Sequence, residues 1–308
     1  MRQKLTVGSR GSKLALLQTE SVVAKIREIN PDLDISVTKI ATIGDRNHRS
    51  QLGLTGTAIF VKELEETLLD GRIDIAVHSL KDLPTELPPR LCLLAVTERL
   101  DPRDVLVANS GLNELASGSK IGTSSLRRTI QLMSYRPDLW TRPIRGNVDT
   151  RLRKVFSGEF DGVIVAAAAL LRLGWEERIT EYLPLSDFLP AVGQGALAVE
   201  ARLGDVDIAR LVSPINHLPT WQCVTAERAL LRALGGGCRA PVAALGTVNG
   251  NTLKLEGMVA STSGRRGLRA SEEGNALSAE EIGMKLAEKM RRMGAAEIIA
   301  EARSRENW

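Results

Sequence analysis

The sequence predicts an α/β protein of two similarly built domains followed by a small α+β domain. Three observations carry this. Short apolar runs alternate with amphipathic stretches up to about Pro219, the pattern of layered strands and helices. Within that stretch one strand–loop–helix unit recurs. Beyond it the pattern changes to a hairpin and one long amphipathic helix.

Leu5 to Gly8 forms a short strand that runs into Ser9-Arg10-Gly11-Ser12, then a helix through Leu14, Leu17, Val22 and Ile26. Lys120-Ile121 leads into Gly122-Thr123-Ser124-Ser125 and a helix carrying Arg127 and Arg128. Each unit is followed by a Gly-x-x-Asp turn into a buried strand, at Gly71-Arg72-Ile73-Asp74 and at Gly158-Glu159-Phe160-Asp161. The strands after these turns are expected at Ile73 to Val77 and Val163 to Ala167. Asp101-Pro102-Arg103-Asp104 and Pro190 to Ala196 are the expected crossings between the domains, the second with glycines suited to hinge torsions. The expected boundaries are 1–97 with 196–216, 98–195 and 217–308. In the last domain Leu245 to Val259 forms a hairpin turning at Asn249-Gly250, with Leu253, Leu255 and Val259 on one face. Ser278-Ala279-Glu280-Glu281 has the spacing of a capping box. Ile282, Leu286, Met290 and Met293 then fall on one helical stripe.

Composition narrows the function. With 41 Lys and Arg against 37 Asp and Glu, net charge is only +4, and aromatic residues are 3%. Few rings are on hand to stack bases, so a nucleic-acid role is not expected. No run approaches the ~18 apolar residues of a membrane span, and Met1 to Gly8 holds no export signal, so a cytoplasmic enzyme is expected. Cys92, Cys223 and Cys238 are too few and scattered for a disulfide framework or a metal centre.

The strand–loop–helix junctions suit anions. A helix N-terminus offers unpaired N–H groups, and small residues such as Gly11, Ser12, Thr123 and Ser125 admit a ligand to them. Arg10, Arg127 and Arg128 add planar forks that match carboxylates, with Arg145 and Arg151 at the next junction. The alternative is that the serines only cap helices and the arginines are solvated. No phosphate-loop or dinucleotide fingerprint is present. The junctions therefore predict an arginine-lined cleft between the two domains for a ligand with several carboxylates. The strand through Val77-His78-Ser79 ends in Leu80-Lys81-Asp82. Asp82 is either a surface partner of Lys81 or Lys62, or an anion that stabilises a cation formed in the reaction. His78 is expected to be structural. Cys238, in Gly235-Gly236-Gly237-Cys238-Arg239, is either an idle loop thiol or one favoured as thiolate by Arg239. Cys92 and Cys223 are expected to be buried filler.

These residues carry a resemblance over the whole chain. Ser9-Arg10-Gly11-Ser12-Lys13-Leu14-Ala15, Phe60 to Glu65, Ala76 to Asp82, Gly122 to Arg128, Arg145-Gly146-Asn147-Val148, Leu189 to Gly195 and Gly236-Gly237-Cys238 follow one another as in porphobilinogen deaminases. The sequence resembles that family. The resemblance implies two periplasmic-binding-protein-like α/β domains plus a small C-terminal α+β domain. It implies a dipyrromethane cofactor held by a thioether on Cys238, and porphobilinogen units added to it with loss of ammonia until hydroxymethylbilane is released. It implies that Asp82 is the catalytic acid, facing pyrrole N–H groups and the cation left by ammonia. Ser12, Lys81, Thr123, Ser125, Arg127, Arg128, Arg145 and Gly146 match cofactor-contacting positions. Arg10, Arg145, Arg151, Arg172, Phe60 and Gln194 match substrate-contacting ones. It further implies a monomer whose product passes to uroporphyrinogen III synthase. One segment departs: Gly53-Leu54-Thr55-Gly56-Thr57 lacks the lysines that many members carry before Phe60, although Arg46, His48 and Arg49 lie upstream.

Overall fold

The computed structural model of the chain describes residues 2–40, 61–235, 240–262, 264 and 266–305. In chain order, β1 (Lys4–Arg10), α1 (Lys13–Ile29), β2 (Asp34–Ile40), α2 (Lys62–Leu69), β3 (Ile75–Ser79) and β4 (Leu91–Val96) come first. Next are β5 (Asp104–Ala108), β6 (Lys120–Gly122), α3 (Leu126–Tyr135), β7 (Trp140–Arg142), α4 (Val148–Phe156), β8 (Gly162–Ala166), α5 (Ala167–Leu173) and β9 (Glu181–Tyr182). The chain then forms β10 (Leu197–Arg202), α6 (Val206–Val212) and α7 (Leu218–Ala233). It closes with β11 (Val242–Asn249), β12 (Thr252–Ala260), β13 (Gly267–Asn275), α8 (Ala279–Arg292) and α9 (Ala295–Arg305). Two compact units result, Met1–Arg99 with Ala196–Trp221, and Leu100–Gly195 with Gln222–Trp308.

The first unit holds one five-stranded sheet in the order β2-β1-β3-β10-β4, and the second holds another in the order β7-β6-β8-β5-β9. The two have the same plan. In each, a central strand pairs in parallel with two neighbours, and the fourth strand runs antiparallel. That fourth strand, β10 or β5, follows directly on one of the two predicted crossings.

The recurring Gly-x-x-Asp turn is a structural repeat as well. Gly71 (φ +73°) and Gly158 (φ +76°) turn the chain in the left-handed region that glycine tolerates best. Asp74 then accepts from the Thr6 backbone N–H at 2.8 Å, and Asp161 accepts from that of Lys120 at 2.6 Å. Each aspartate ties the incoming strand to the central strand of its own sheet.

The cores follow the predicted faces. Val22, Val23 and Ile26 of α1 are buried with Leu5, Val7 and Ile75. Leu152, Val155 and Phe160 are buried with Val163 and Val165 in the second sheet. Leu14 and Leu17, expected on the α1 stripe, are half-buried. Both strands end differently from expectation: β3 runs on to Ser79, and β8 stops at Ala166 because Ala167 already starts α5.

The small three-stranded sheet β11-β12-β13 also lies in the second unit. Its hairpin forms one residue further on than expected: Asn249 stays in the strand opposite Thr252, and Gly250 (φ +58°) and Asn251 make the turn. Leu253, Leu255 and Val259 form a core with Ile282, Leu286 and Met290. Two expectations fail here. Ser278 makes no capping hydrogen bond, because the segment before it is a 3₁₀ turn capped by Asn275, whose side chain accepts from Leu277 N–H at 2.9 Å. Met293 is 45% exposed, since α8 ends at Arg292 and the stripe ends with it. Among the described residues no helix is long and apolar enough to cross a membrane.

α7 and α8 approach closely at Gly283, where an added Cβ would lie 2.3 Å from the Ala226 carbonyl oxygen and 2.7 Å from the Ala229 Cβ. Backbone cannot yield as a side-chain tip does. Gly283→Ala should therefore destabilise the second unit by about 1–3 kcal/mol, measured as a lower denaturation midpoint by circular dichroism; an unchanged midpoint would contradict the close packing.

Candidate active site

Ligand crevices of α/β sheets open at the carboxyl ends of parallel strands. In the first sheet β1 and β3 are parallel neighbours, so Arg10 and the Ser79–Asp82 segment emerge side by side. After β1, Ser12 caps α1, its side chain accepting from Ala15 N–H at 3.3 Å. After β3, Leu80–Asp82 forms a single 3₁₀ turn, fastened by Leu80 N–H to the Ala196 carbonyl at 3.0 Å. Gln18 of α1 and Ser79 bond through their side chains at 2.8 Å, locking the two junctions together. Arg10, Ser12, Lys81 and Asp82 are thus gathered at one end of one sheet, all half-buried.

Of the two lysines weighed as partners for Asp82, Lys62 instead lies 3.7 Å from Glu66. Asp82 makes no ion pair among the described residues. His78 is buried, with Nε2 3.0 Å from the Glu200 carboxylate, the structural place expected of it. Burial, then the nearby Glu200 charge, pushes the Glu65 carboxyl up.

The second sheet repeats the arrangement with arginines. After β6, Ser125 caps α3, accepting from Arg128 N–H at 3.5 Å, while Thr123 accepts from Ser125 N–H at 3.1 Å. After β7, Arg145 is exposed and Gly146 turns at φ +107°. Asn147 caps α4 through Thr150 N–H at 2.9 Å, and Arg151 reaches back to the Gly146 carbonyl at 2.9 Å. Ser124 stitches the two junctions, donating to the Ile144 carbonyl at 2.8 Å and accepting from its N–H at 3.0 Å. After β8, Arg172 on α5 donates to the Gly195 carbonyl at 2.7 Å.

Arg127 and Arg128 are buried rather than solvated, and both converge on Asp104. Because β5 runs antiparallel to β8, its first residue, Asp104, lies at the same end as these junctions, opposite Ala166. Arg127 Nη1 is 2.7 Å from Asp104 Oδ2 and 2.7 Å from the Leu189 carbonyl. Arg128 grips Asp104 Oδ1 with Nη2 at 2.7 Å and Nε at 3.1 Å. Gln194, expected to contact substrate, is fully buried and donates to Asp104 Oδ1 at 2.9 Å and to the Pro102 carbonyl at 2.7 Å. Burial works against the Asp104 charge, but the two guanidiniums outweigh it and hold the carboxyl far below the usual range. Burial lowers Arg127, with Asp104 opposing. Burial alone pushes Arg172 down to about 10.

The charges do not cancel. Two guanidiniums share one carboxylate, and Arg172 touches only a carbonyl among the described residues. Uncompensated buried positive charge is costly, so this end of the second sheet carries a standing charge that an anionic group would offset. Asp104 and its pairing escaped the sequence reading: its partners lie 23 and 24 residues downstream, and no local motif marks it. Phe60 and Cys238, together with Arg46, His48, Arg49 and the segment 53–57, lie outside the described residues. Cys223 is buried within α7, and Cys92, half-buried, is pushed up by burial and Glu200.

Residues 5–210 match the family model described as porphobilinogen deaminase, dipyromethane cofactor binding domain, and residues 221–292 match porphobilinogen deaminase, C-terminal domain. The chain belongs to the porphobilinogen deaminase family. The porphobilinogen deaminase of Syntrophomonas wolfei is 47% identical over 304 residues, covering 98% of this chain and 99% of the relative. That of Desulforudis audaxviator is 48% identical over 307 residues, covering 99% of each. Among solved structures, the methionine binding protein MetQ overlaps 71% of this chain and 90% of its own at 12% identity and TM-score 0.46. The sulphonate binding protein SsuA from Escherichia coli overlaps 76% and 71% at 14% identity and TM-score 0.40. As a porphobilinogen deaminase, the chain is a transferase of tetrapyrrole biosynthesis. It condenses four porphobilinogen molecules stepwise on a dipyrromethane cofactor, with loss of ammonia, and hydrolysis releases hydroxymethylbilane. Each pyrrole of dipyrromethane carries an acetate and a propionate, so the surplus of buried guanidinium in the second unit fits the group.

Asp104→Asn should cost about 3–5 kcal/mol at neutral pH, since it leaves two buried cations without their anion. A carboxyl held low in the fold stabilises fully above its unfolded value near pH 4 and loses that contribution as pH falls through the folded value. The difference between wild type and variant in urea unfolding should be flat above about pH 5 and shrink toward pH 3; a difference growing on acidification would refute the pairing.

Proposed function

We propose that Asp82 is the catalytic carboxylate of this enzyme and that Cys238 is the attachment point of dipyrromethane. The observation that carries the first part is that Asp82 stands half-buried at a strand end beside Arg10 and Lys81, yet makes no ion pair among the described residues. An acid used for structure would be expected to spend its charge on a neighbour, as Asp74 and Asp104 do. When bound, the cofactor supplies the free pyrrole carbon to which the first unit is joined. Ser12, Lys81, Thr123, Ser125, Arg127, Arg128, Arg145 and Gly146 would hold it, the arginines through its carboxylates and Gly146 by leaving the backbone open.

Arg10, Arg145, Arg151, Arg172 and Phe60 bind porphobilinogen, and Gln194 serves the same carboxylates from beneath through Asp104. The Asp82 carboxylate accepts a hydrogen bond from the pyrrole N–H of the substrate. As the bond from the aminomethyl carbon to its protonated nitrogen breaks and ammonia leaves with the electron pair, the positive charge passes from the ammonium to the ring. Asp82 meets that charge only as it develops, which lowers the barrier rather than merely tightening binding.

Residues 217–308 are read as a domain of their own, supported by their separate sheet and apolar cluster. The proposal extends to a cytoplasmic monomer whose product passes to uroporphyrinogen III synthase.

Intact-mass measurement of the purified chain should show an adduct of two pyrrole units that Cys238→Ser lacks; fully active wild type of unmodified mass would exclude the attachment. Asp82→Asn should keep the circular dichroism spectrum and the adduct but lose on the order of 10²-fold or more in kcat, the size expected when a charge-stabilising group is removed. Wild-type turnover would take Asp82 out of the mechanism.

A further inference from the structure

The turn Gly193–Gly195 is held from three sides within the second unit. Arg172 donates to the Gly195 carbonyl at 2.7 Å. Gln194 donates to Asp104 at 2.9 Å, beneath the arginine pair. The third hold is Glu227 of α7, fully buried, whose Oε2 accepts from Gly193 N–H at 2.7 Å and whose Oε1 accepts from Gly246 N–H of β11 at 2.8 Å. Gly193 and Gly195 sit at φ +73° and +93°, so the turn is one that other residues rarely adopt.

Apolar packing already joins this segment to the small sheet. Val192 lies in the same core as Ala226 and Leu230, Leu189 lies with Ala243 and Leu245, and Ala244 N–H reaches the Pro190 carbonyl at 3.2 Å. A buried carboxylate is therefore not needed merely to keep the parts together, and burying its charge is unfavourable. What a carboxylate adds is two short, directional, charge-assisted hydrogen bonds on chosen N–H groups. They fix where the turn stands along α7. That helix ends at Ala233, and Cys238 follows in the sequence eleven residues beyond Glu227.

We propose that Glu227 is a positioning residue for the arginine pair. From the helix that precedes Cys238 in the chain, it sets the Gly193 turn, and through Gln194 and Asp104 it sets the forks of Arg127 and Arg128. The guanidiniums that take the cofactor's carboxylates are thereby set by one buried acid on the helix that precedes Cys238 in the chain. This rests on the reading of Cys238 as the attachment point and of the two arginines as carboxylate partners.

Full-length Glu227→Gln and Glu227→Asp test it. Glu227→Gln should carry the pyrrole adduct on a smaller fraction of molecules by intact mass. In the loaded fraction kcat should fall on the order of tenfold, the effect of one lost charge-assisted hydrogen bond, while KM changes less. Glu227→Asp, which keeps the charge on a shorter arm, should restore part of both. A purely structural role would lower the melting temperature and leave the adduct fraction and kcat of folded molecules at wild-type values, which would overturn the proposal. If Glu227→Gln does not fold, Glu227→Asp decides by the same two readouts. Combined with Gln194→Ala, Glu227→Gln should lose no more than the worse single variant, because both cut one relay; additive losses would also overturn it. Wild type without an adduct would instead defeat the underlying reading, whereas adduct-complete variants would defeat only the role of Glu227.

Discussion

Asp104 between Arg127 and Arg128 is the interaction on which the rest of the candidate site depends. One buried carboxylate serves two buried guanidiniums, and the proportion matters. Without the acid the two cations would repel each other in a poorly solvated interior, and their side chains would have no common anchor. With a second acid the charge would cancel and there would be no reason for an anion to enter. One acid for two bases orients both forks and leaves a net positive charge.

That interaction is available because the sheet plan puts it there. An antiparallel fourth strand starts at the end where the parallel strands finish, so the first residue of β5 meets the loops after β6 and β8. The first sheet has the same plan but a different use. Its loops carry Arg10, Lys81 and an aspartate that makes no ion pair among the described residues, instead of an arginine cluster. One architecture, fastened twice by the same Gly-x-x-Asp device, thus places a half-buried acid at the strand ends of one unit and a cluster of buried cations at those of the other. The strands give position and the loops give chemistry.

Much of this was legible before the structure. The junction at Ser12 is a helix cap, as is the junction at Ser125, because a small hydroxyl residue before an apolar-periodic run satisfies an orphan N–H wherever it occurs. The expected hairpin formed around Gly250, which takes the positive φ a tight turn needs, although Asn249 stays in the strand and the two turn residues are Gly250 and Asn251. The Ser278 capping box did not form, since a 3₁₀ turn ahead of the helix altered the backbone that the cap requires. His78 took its structural place, but nothing in its neighbourhood along the chain named Glu200, 122 residues away, as its partner.

What the sequence determined by itself was most of what depends on near neighbours along the chain: the strand and helix periods, the caps at Ser12 and Ser125, the glycine turns, and the placing of arginines and Asp82 at strand ends. Its motif order also determined the family. What only the tertiary structure decided was which charges meet. In the sequence Arg127 and Arg128 read as forks for a ligand's carboxylates, and they are buried against an acid of the chain itself; Asp104 reads as part of a crossing and is their shared counter-ion; Glu227 carries no local motif and holds the Gly193 turn. The physical reason is that a buried ion pair is defined by distance through space and by desolvation. Neither quantity exists until the chain has folded and excluded water from the groups that pair.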